Sequence, residues 1–429
     1  MSGVIQPVKG TRDFYPEDMT IRSWLYATVG NISRSFGYEE YEGPLLEPIE
    51  LYAAKSGDEL VKEQSFVFPD RGGNLITLRP ELTPTLARMI AQRQKQLVFP
   101  LRWWSFGPFW RYERPQKGRT REFFQWNIDL IGSSSIAADV ELISVIIAFF
   151  RYVGLQPGEV KVFVNNRQLI ESELGSLDIG HEMFNTVFKL IDKREKLNLS
   201  DWEVYAKELG LTQSQIDGII KILQDKNLWS KSKSLSDLFA LLEALHLASY
   251  VEFAPHIIRG LDYYTGTVFE AQSIAGRVRR SILGGGRYDN LLADVGGQPL
   301  PAVGFAMGDL VISLVLQELG KLPAKLRTLP ASILMTIFDE DHLIHSLALA
   351  QELRESCLNV CVYPETEKLV KQIRYADRKG IPIVIILGPD EINHRQVTIK
   401  NLTSREQISL PRDRVVAAIR KMLDSEIPS

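Results

Sequence analysis

The sequence predicts a mixed α/β protein of more than one domain, on three observations. Its 429 residues exceed what a single hydrophobic core usually organises. Short β-rich runs alternate with amphipathic stretches up to about residue 165 and return from about 252 to 320, on either side of a segment of helical character. Beyond about 330, the runs 333–337, 359–363 and 382–387 read as strands separated by helical stretches, which is the alternation of a small α/β domain.

In the helical segment, Ser200-Asp201-Trp202-Glu203 and Thr212-Gln213-Ser214-Gln215 both carry the capping-box pattern, in which a hydroxyl and an acid or amide satisfy free helix N–H groups reciprocally. Gly210 suits the stop between them, and Ile216, Ile219, Ile220 and Leu223 mark one helical face. Residues 321–330, with two prolines and three basic side chains, read as a linker. A last helix carries Val415, Val416, Ile419 and Leu423 on one face.

With 45% apolar residues and a mean hydropathy of −0.07, the chain has the composition of an ordinary globular protein. A net charge of −3 gives no global sign of a polyanion partner, so any nucleic-acid binding must come from local patches. Cys357 and Cys361 fit neither a disulfide framework nor a zinc set and point to a reducing compartment. The first twenty residues have no secretory pattern, and the longest apolar stretch, 142–150, is far short of the ~20 residues that span a bilayer. A cytoplasmic location without membrane contact is therefore expected.

Two segments concentrate chemistry. Between Arg102 and Arg121 six basic residues (Arg102, Arg111, Arg114, Lys117, Arg119, Arg121) stand against one acid, Glu113. Such a local excess seeks phosphate, and arginine's planar fork holds its oxygens in pairs. The plain alternative is a solvated basic hairpin with surface ion pairs. The surrounding Trp103, Trp104, Phe106, Phe109 and Trp110 favour the first reading, because they exclude water from each charge contact. The second segment is Arg259-Gly260-Leu261-Asp262-Tyr263-Tyr264. Read as a strand, it puts Arg259, Leu261 and Tyr263 on one face and Gly260, Asp262 and Tyr264 on the other. The run Gly284-Gly285-Gly286 lacks P-loop spacing and by itself means a tight turn or a close backbone approach. The six histidines are scattered, with no metal-ligand or nucleophile-base spacing.

The segment 109–119 with Arg121-Glu122-Phe123-Phe124-Gln125 resembles motif 2 of class II aminoacyl-tRNA synthetases in its histidine-specific form. Lys9-Gly10-Thr11-Arg12-Asp13, Leu78-Arg79-Pro80-Glu81-Leu82-Thr83, the run 259–264, Gly284 to Asp289 and the block 375–382 resemble further signatures of histidyl-tRNA synthetases. That resemblance spans nearly the whole chain. It implies an α/β (α+β) fold with a mainly antiparallel catalytic sheet in two parts, 1–168 and 251–322, a helical insertion at 169–250 and an anticodon-binding α/β domain at 330–429. It also implies a homodimer with motif 1 near 36–44 at the interface, and as partners L-histidine, histidine tRNA and ATP. ATP is a substrate that enters with Mg2+, with no prosthetic group and no metal site of the protein's own.

By position in the motifs, Arg111 and Arg259 would act on the α-phosphate and the histidine carboxylate. Glu81, Leu82, Thr83 and Gln125 would hold the amino-acid end, Asp129 and Tyr264 would read the imidazole, and Tyr263 and Tyr288 would complete the wall. Glu113, Arg119 and Gly304 would bind ATP, while Arg114, Gln116 and Lys117 would meet tRNA. At Gly308-Asp309-Leu310-Val311 the chain departs from the family, which commonly carries an arginine there for the far phosphates; the departure implies weaker nucleotide binding, lost activation, or replacement by another cation such as Arg119 or Arg287, and is treated as a variant. The basic cluster Lys371, Arg374, Arg378 and Lys379 in the C-terminal domain reads equally as a patch facing RNA phosphate or as a solvated helix face. A non-charging paralogue that senses histidine as the regulatory subunit of ATP phosphoribosyltransferase shares this fold. Such paralogues typically lack the arginine motif and the C-terminal domain that this chain has.

Overall fold

The computed structural model describes residues 3–53, 64–116, 118–194, 197–258, 263–278, 280–323, 326 and 331–425. The chain divides into two compact units, Met1–Leu326 and Arg327–Ser429. In the first, the strands in chain order are β1 (Glu39–Glu40), β2 (Leu46–Pro48), β3 (Phe66–Pro69), β4 (Leu75–Leu78), β5 (Leu101–Trp110), β6 (Glu122–Ile131), β7 (Val160–Asn166), β8 (Val251–Phe253), β9 (Thr267–Ser273), β10 (Ser281–Arg287) and β11 (Ala302–Gly308). Eight of them form one sheet in the order β1-β5-β6-β11-β10-β9-β7-β8.

From β5 across to β7 every neighbouring pair is antiparallel, as expected, and only the edge strands β1 and β8 are parallel to their neighbours. Strands of this kind can cover one face with apolar side chains and leave polar ones on the other. β6 does so: Trp126, Ile128 and Leu130 are buried in the main core, while Gln125, Asn127 and Asp129 point to the opposite face. The helices Pro16–Ser35 and Ile136–Tyr152 supply the apolar layer under that sheet, with Leu25, Val29, Ile143 and Ile147 in the same core.

β7 and β8 are parallel neighbours, so the chain between them must cross over. The helices Arg167–Gly175, Phe184–Asp192, Leu199–Glu208, Gln213–Gln224 and Lys233–Ala244 make that crossing, and their apolar faces join the core of the sheet. The expected capping box at Thr212 is formed with Gln215, and Gly210 has the positive φ of a helix stop. The one expected at Ser200 is not: the helix begins two residues earlier, and the cap is Asn198, whose side chain accepts from the Asp201 backbone N–H.

The triple glycine lies inside β10 and not in a turn. The close-approach reading holds, because a Cβ on Gly285 would collide with the Gly304 carbonyl and one on Gly286 with that of Thr267.

The second unit has a five-stranded sheet in the order β13-β12-β14-β15-β16, built from β12 (Ile333–Met335), β13 (Val360–Val362), β14 (Ile383–Ile386), β15 (Gln396–Asn401) and β16 (Gln407–Pro411). The three strands read from the sequence are the parallel part of this sheet. The antiparallel pair β15 and β16 was not among them. Val415 and Ile419 of the last helix are buried against the sheet, as expected. No helix among the described residues is long and apolar enough to cross a membrane.

Candidate active site

Two adjoining cavities open on the polar face of the large sheet. The first, of about 600 Å³, is lined by Glu81, Leu82 and Thr83 before and at the start of the helix Thr83–Arg93, by Gln125, Asn127 and Asp129 of β6, by Tyr263, Tyr264 and Tyr288, and by Gly304 of β11. All the described residues expected to hold histidine therefore meet at one place. Arg259, Gly260, Leu261 and Asp262 lie outside the described residues.

Tyr263 and Tyr264 correct the strand reading of their segment. β9 begins only at Thr267, and both rings face the same cavity with centroids 5.0 Å apart. Without the alternation of a strand, consecutive side chains can share a wall. Tyr263 donates to Glu81 Oε2 at 3.4 Å and stands edge-on to Tyr288 at 5.9 Å.

Asp129 is 5% exposed, and Tyr288 donates its hydroxyl to Oδ1 at 2.5 Å. Burial pushes the Asp129 carboxyl up to about 7, and the Tyr288 hydrogen bond only partly opposes this. Burial also raises the Tyr288 phenol well above its usual range, with the neighbouring Asp129 charge as the next cause, so the phenol stays a donor. The sheet admits this carboxyl only because position 304 is glycine: a Cβ there would overlap Asp129 Oδ1. Gly304, expected among the ATP-binding residues, thus lines the first cavity and not the second.

Sequence reasoning missed Asn127. It is buried, its Nδ2 has no partner, and it lines the cavity between Gln125 and Asp129. Its signal was the period-2 run Gln125, Asn127, Asp129 between apolar neighbours.

The second cavity, of about 480 Å³, is lined by Arg111, Glu113, Gly118, Arg119, Thr120 and Phe123 and by the Gly308–Val311 segment. Arg111 lines both cavities. Its Nε donates to the Pro80 carbonyl at 3.0 Å and its guanidinium lies 5.4 Å from the Phe123 ring centroid, which fixes the direction of the charge. Arg119 pairs with Glu113 at 2.8 Å. Gln116 and Arg119 exchange backbone hydrogen bonds of 2.9 and 2.8 Å, so Gly118 sits in a tight turn with φ of +78°. Arg114 and Gln116 are exposed and line neither cavity, and Lys117 lies outside the described residues.

At the departure from the family pattern, Asp309 starts the helix Asp309–Glu318 and is 5% exposed. Oδ1 accepts from the Phe124 N–H at 2.9 Å and Oδ2 pairs with Arg12 Nη2 at 2.8 Å, so this carboxylate enters the wall already neutralised. Arg287 is excluded as a substitute cation at this point. It pairs with buried Asp139, donates to the Ser133 carbonyl at 2.9 Å, and lines neither cavity.

An antiparallel sheet with Arg111 just beyond the end of β5, between two cavities, is the arrangement expected of a class II aminoacyl-tRNA synthetase. The family model described as histidyl-tRNA synthetase matches residues 10–309, and that described as anticodon binding domain matches residues 332–422. The histidine–tRNA ligase of Leptospira biflexa is 33% identical over 426 residues, covering 97% of each chain. The chain belongs to the histidyl-tRNA synthetase family. In fold it is similar to the histidyl-tRNA synthetase of Nostoc sp. PCC 7120, with a TM-score of 0.80 at 24% identity over 98% of this chain and 100% of that one. It is also similar to an ATP phosphoribosyltransferase regulatory subunit/histidyl-tRNA synthetase from Bacillus halodurans C, with a TM-score of 0.71 at 22% identity over 87% of this chain and 97% of that one.

A carboxyl with its pKa raised to about 7 keeps its proton below that pH and becomes a charged, acceptor-only group above it. Its unfolded counterpart ionises near 3.8, so stability of the free protein falls as pH rises from about 4 to about 7 and levels off beyond. Affinity for an imidazole N–H should rise through the same point. We expect the KM for histidine to fall between pH 6 and 8, whereas Asp129→Asn should keep only the titration of free histidine, near ~6.5. Pyrophosphate-exchange kinetics across that range read both, and identical profiles would remove Asp129 from imidazole recognition.

Proposed function

We propose that this chain activates L-histidine with ATP and passes the product to the 3′ end of histidine tRNA. The observation that carries this is Arg111, which lines both cavities and so stands where a carboxylate from one would meet the α-phosphate from the other. In the first step a histidine carboxylate oxygen attacks the α-phosphorus, the α–β bridge breaks, and its electron pair leaves with pyrophosphate. The attacking group is already ionised at neutral pH, so the site needs no base for this step. In the second, the terminal ribose hydroxyl attacks the adenylate carbonyl and AMP departs.

Glu81 supplies the anion for the ammonium group, with Leu82, Thr83 and Gln125 beside it. Asp129 and Tyr264 take the ring, and Tyr263 and Tyr288 close the wall around it. Glu113 and Arg119 face the nucleotide. Mg2+ arrives on the phosphates as part of the substrate and needs no protein cage. Arg259 is assigned to the α-phosphate, and Arg114, Gln116 and Lys117 to the acceptor end of tRNA, through the family motifs. The protein is read as cytoplasmic.

The C-terminal unit offers a surface suited to unstacked bases: Tyr363 and Tyr375 meet edge-on at 5.4 Å, with Lys368, Lys371, Arg374 and Arg378 around the same hollow. A second copy of the chain suits the small sheet β2-β4-β3. Leu46, Leu78 and Phe66 lie side by side there, as do Pro48, Ile76 and Phe68, and Leu46 and Phe68 are 45% and 41% exposed. The adjoining segment 36–44 is the part expected at a dimer interface.

Histidine-dependent ATP–pyrophosphate exchange followed by tRNA charging tests the central reading. Wild-type protein should do both, and Arg111→Ala should slow exchange by two orders of magnitude or more, about 3 kcal/mol of transition-state charge stabilisation. Histidine binding without exchange would instead support the regulatory, non-charging reading. Tyr375→Ala should raise the KM for tRNA about fivefold or more and leave exchange unchanged, since stacking on one ring is worth ~1–3 kcal/mol. An unchanged tRNA KM would move the anticodon elsewhere. Sedimentation equilibrium should give a dimer that Phe68→Glu converts to monomer; a monomeric wild type would end that proposal.

A further inference from the structure

Arg280 precedes β10 and belongs to none of the motifs discussed above. β10 runs antiparallel to β11 with Leu283 opposite Met307, so Arg280 emerges at the same edge of the sheet as Gly308 and Asp309. Its side chain packs on the turn over the second cavity: a Cβ on Gly118 would lie 3.3 Å from Arg280 Nη1 and 3.4 Å from Cδ. Gly118 itself lines that cavity.

The charges around this cavity are mostly matched in place. Arg119 is held by Glu113, Arg12 by Asp309, and Arg287 by Asp139 behind the sheet. The wall made by Asp309, Leu310 and Val311 therefore offers a neutralised carboxylate and two aliphatic side chains to a ligand that carries several negative charges. Arg280 is half-buried and pairs with no carboxylate among the described residues. Like Arg111, it is thus a cation at the cavity that can meet an incoming anion without first giving up an ion pair.

We propose that Arg280 binds the two phosphates that leave as pyrophosphate. As the α–β bridge breaks, the bridging oxygen keeps the electron pair, and the guanidinium fork meets the charge that gathers there. This rests on reading the second cavity as the nucleotide site. It assigns to the residue just before β10 a function for which the sequence offered Arg119 and Arg287 as candidates.

Exchange and charging kinetics of the full chain test it, with Arg280→Ala and Arg280→Lys beside Arg111→Ala. Arg280→Ala should raise the KM for both ATP and pyrophosphate about tenfold or more, as loss of a charged hydrogen-bonding partner does. It should leave the KM for histidine and inhibition by AMP, which lacks those phosphates, within about twofold. Arg280→Lys should recover part of the loss, because the charge remains without the fork. Wild-type KM values for ATP and pyrophosphate in Arg280→Ala would overturn the proposal. So would an effect confined to the KM for tRNA, or an equal weakening of ATP and AMP. If Arg111→Ala also leaves exchange intact, the nucleotide reading of the cavity fails as a whole; if it abolishes exchange while Arg280→Ala is silent, only the role of Arg280 fails.

Discussion

A carboxyl group in the middle of a β-sheet is the constraint around which the rest of this site is arranged. Asp129 sits in β6 between two antiparallel neighbours, where removing its charge from water is costly. Three features make the position tolerable. Tyr288 donates a hydrogen bond to it, the group carries its own proton up to about pH 7, and β11 gives it room with a glycine. The same features suit it to a ligand. A buried acid poised near neutrality responds to one extra donor far more than an exposed carboxylate would. The glycines of β10 and β11 extend the arrangement by letting two backbones approach without side chains between them.

The second organising feature is the way cations are delivered to the phosphate side. Apart from Arg111, each arginine that faces the second cavity or its wall through an ion pair reaches it from a different element, and each has its own acid: Glu113 for Arg119, Asp309 for Arg12. Matched pairs of this kind fix geometry more than they attract ligand, since each pair is close to neutral from outside. Arg111 is different: its partners are a carbonyl and an aromatic ring, so its full charge is available at the junction of the two cavities. On the proposed mechanism, that is the point where charge grows in the transition state.

The sequence made much of this legible and concealed the rest for physical reasons. Glu81, Gln125 and Asp129 could be placed together only because their separate blocks resemble one family's signatures for a single substrate; taken alone, each reads as readily as core or strand decoration. The alternation of Gln125, Asn127 and Asp129 in β6 went unread, while alternation assumed at Tyr263 and Tyr264 misplaced them, since a period of two holds only where the backbone is extended. Asn198 outcompeted Ser200 as a cap because several side chains near a helix start can accept the same N–H groups, and a shift of two residues leaves the pattern almost unchanged. The choice between Arg119 and Arg287 could not be settled from spacing. What distinguishes them is Asp139, which lies 148 positions away in sequence and becomes a neighbour of Arg287 only when the sheet forms.

That last case bears on how a motif departure should be read. Losing an arginine from one helix does not by itself remove positive charge from a site, because the field there is a sum over all the elements that border it. In this chain Leu310 and Val311 stand there, directly after Asp309, and Arg12 reaches across from the N-terminal segment to neutralise that carboxylate. The substitution therefore leaves the local balance near zero rather than negative. The same N-terminal segment also ties down the other side of the cavity, since the Gly10 carbonyl accepts the N–H groups of Arg121 and Glu122 at 2.8 and 3.2 Å. A change at the start of one helix is thus coupled to the chain terminus and to the strand that carries Gln125 and Asp129. For that reason the departure at 308–311 is better understood as one part of a rebuilt wall than as a missing contact.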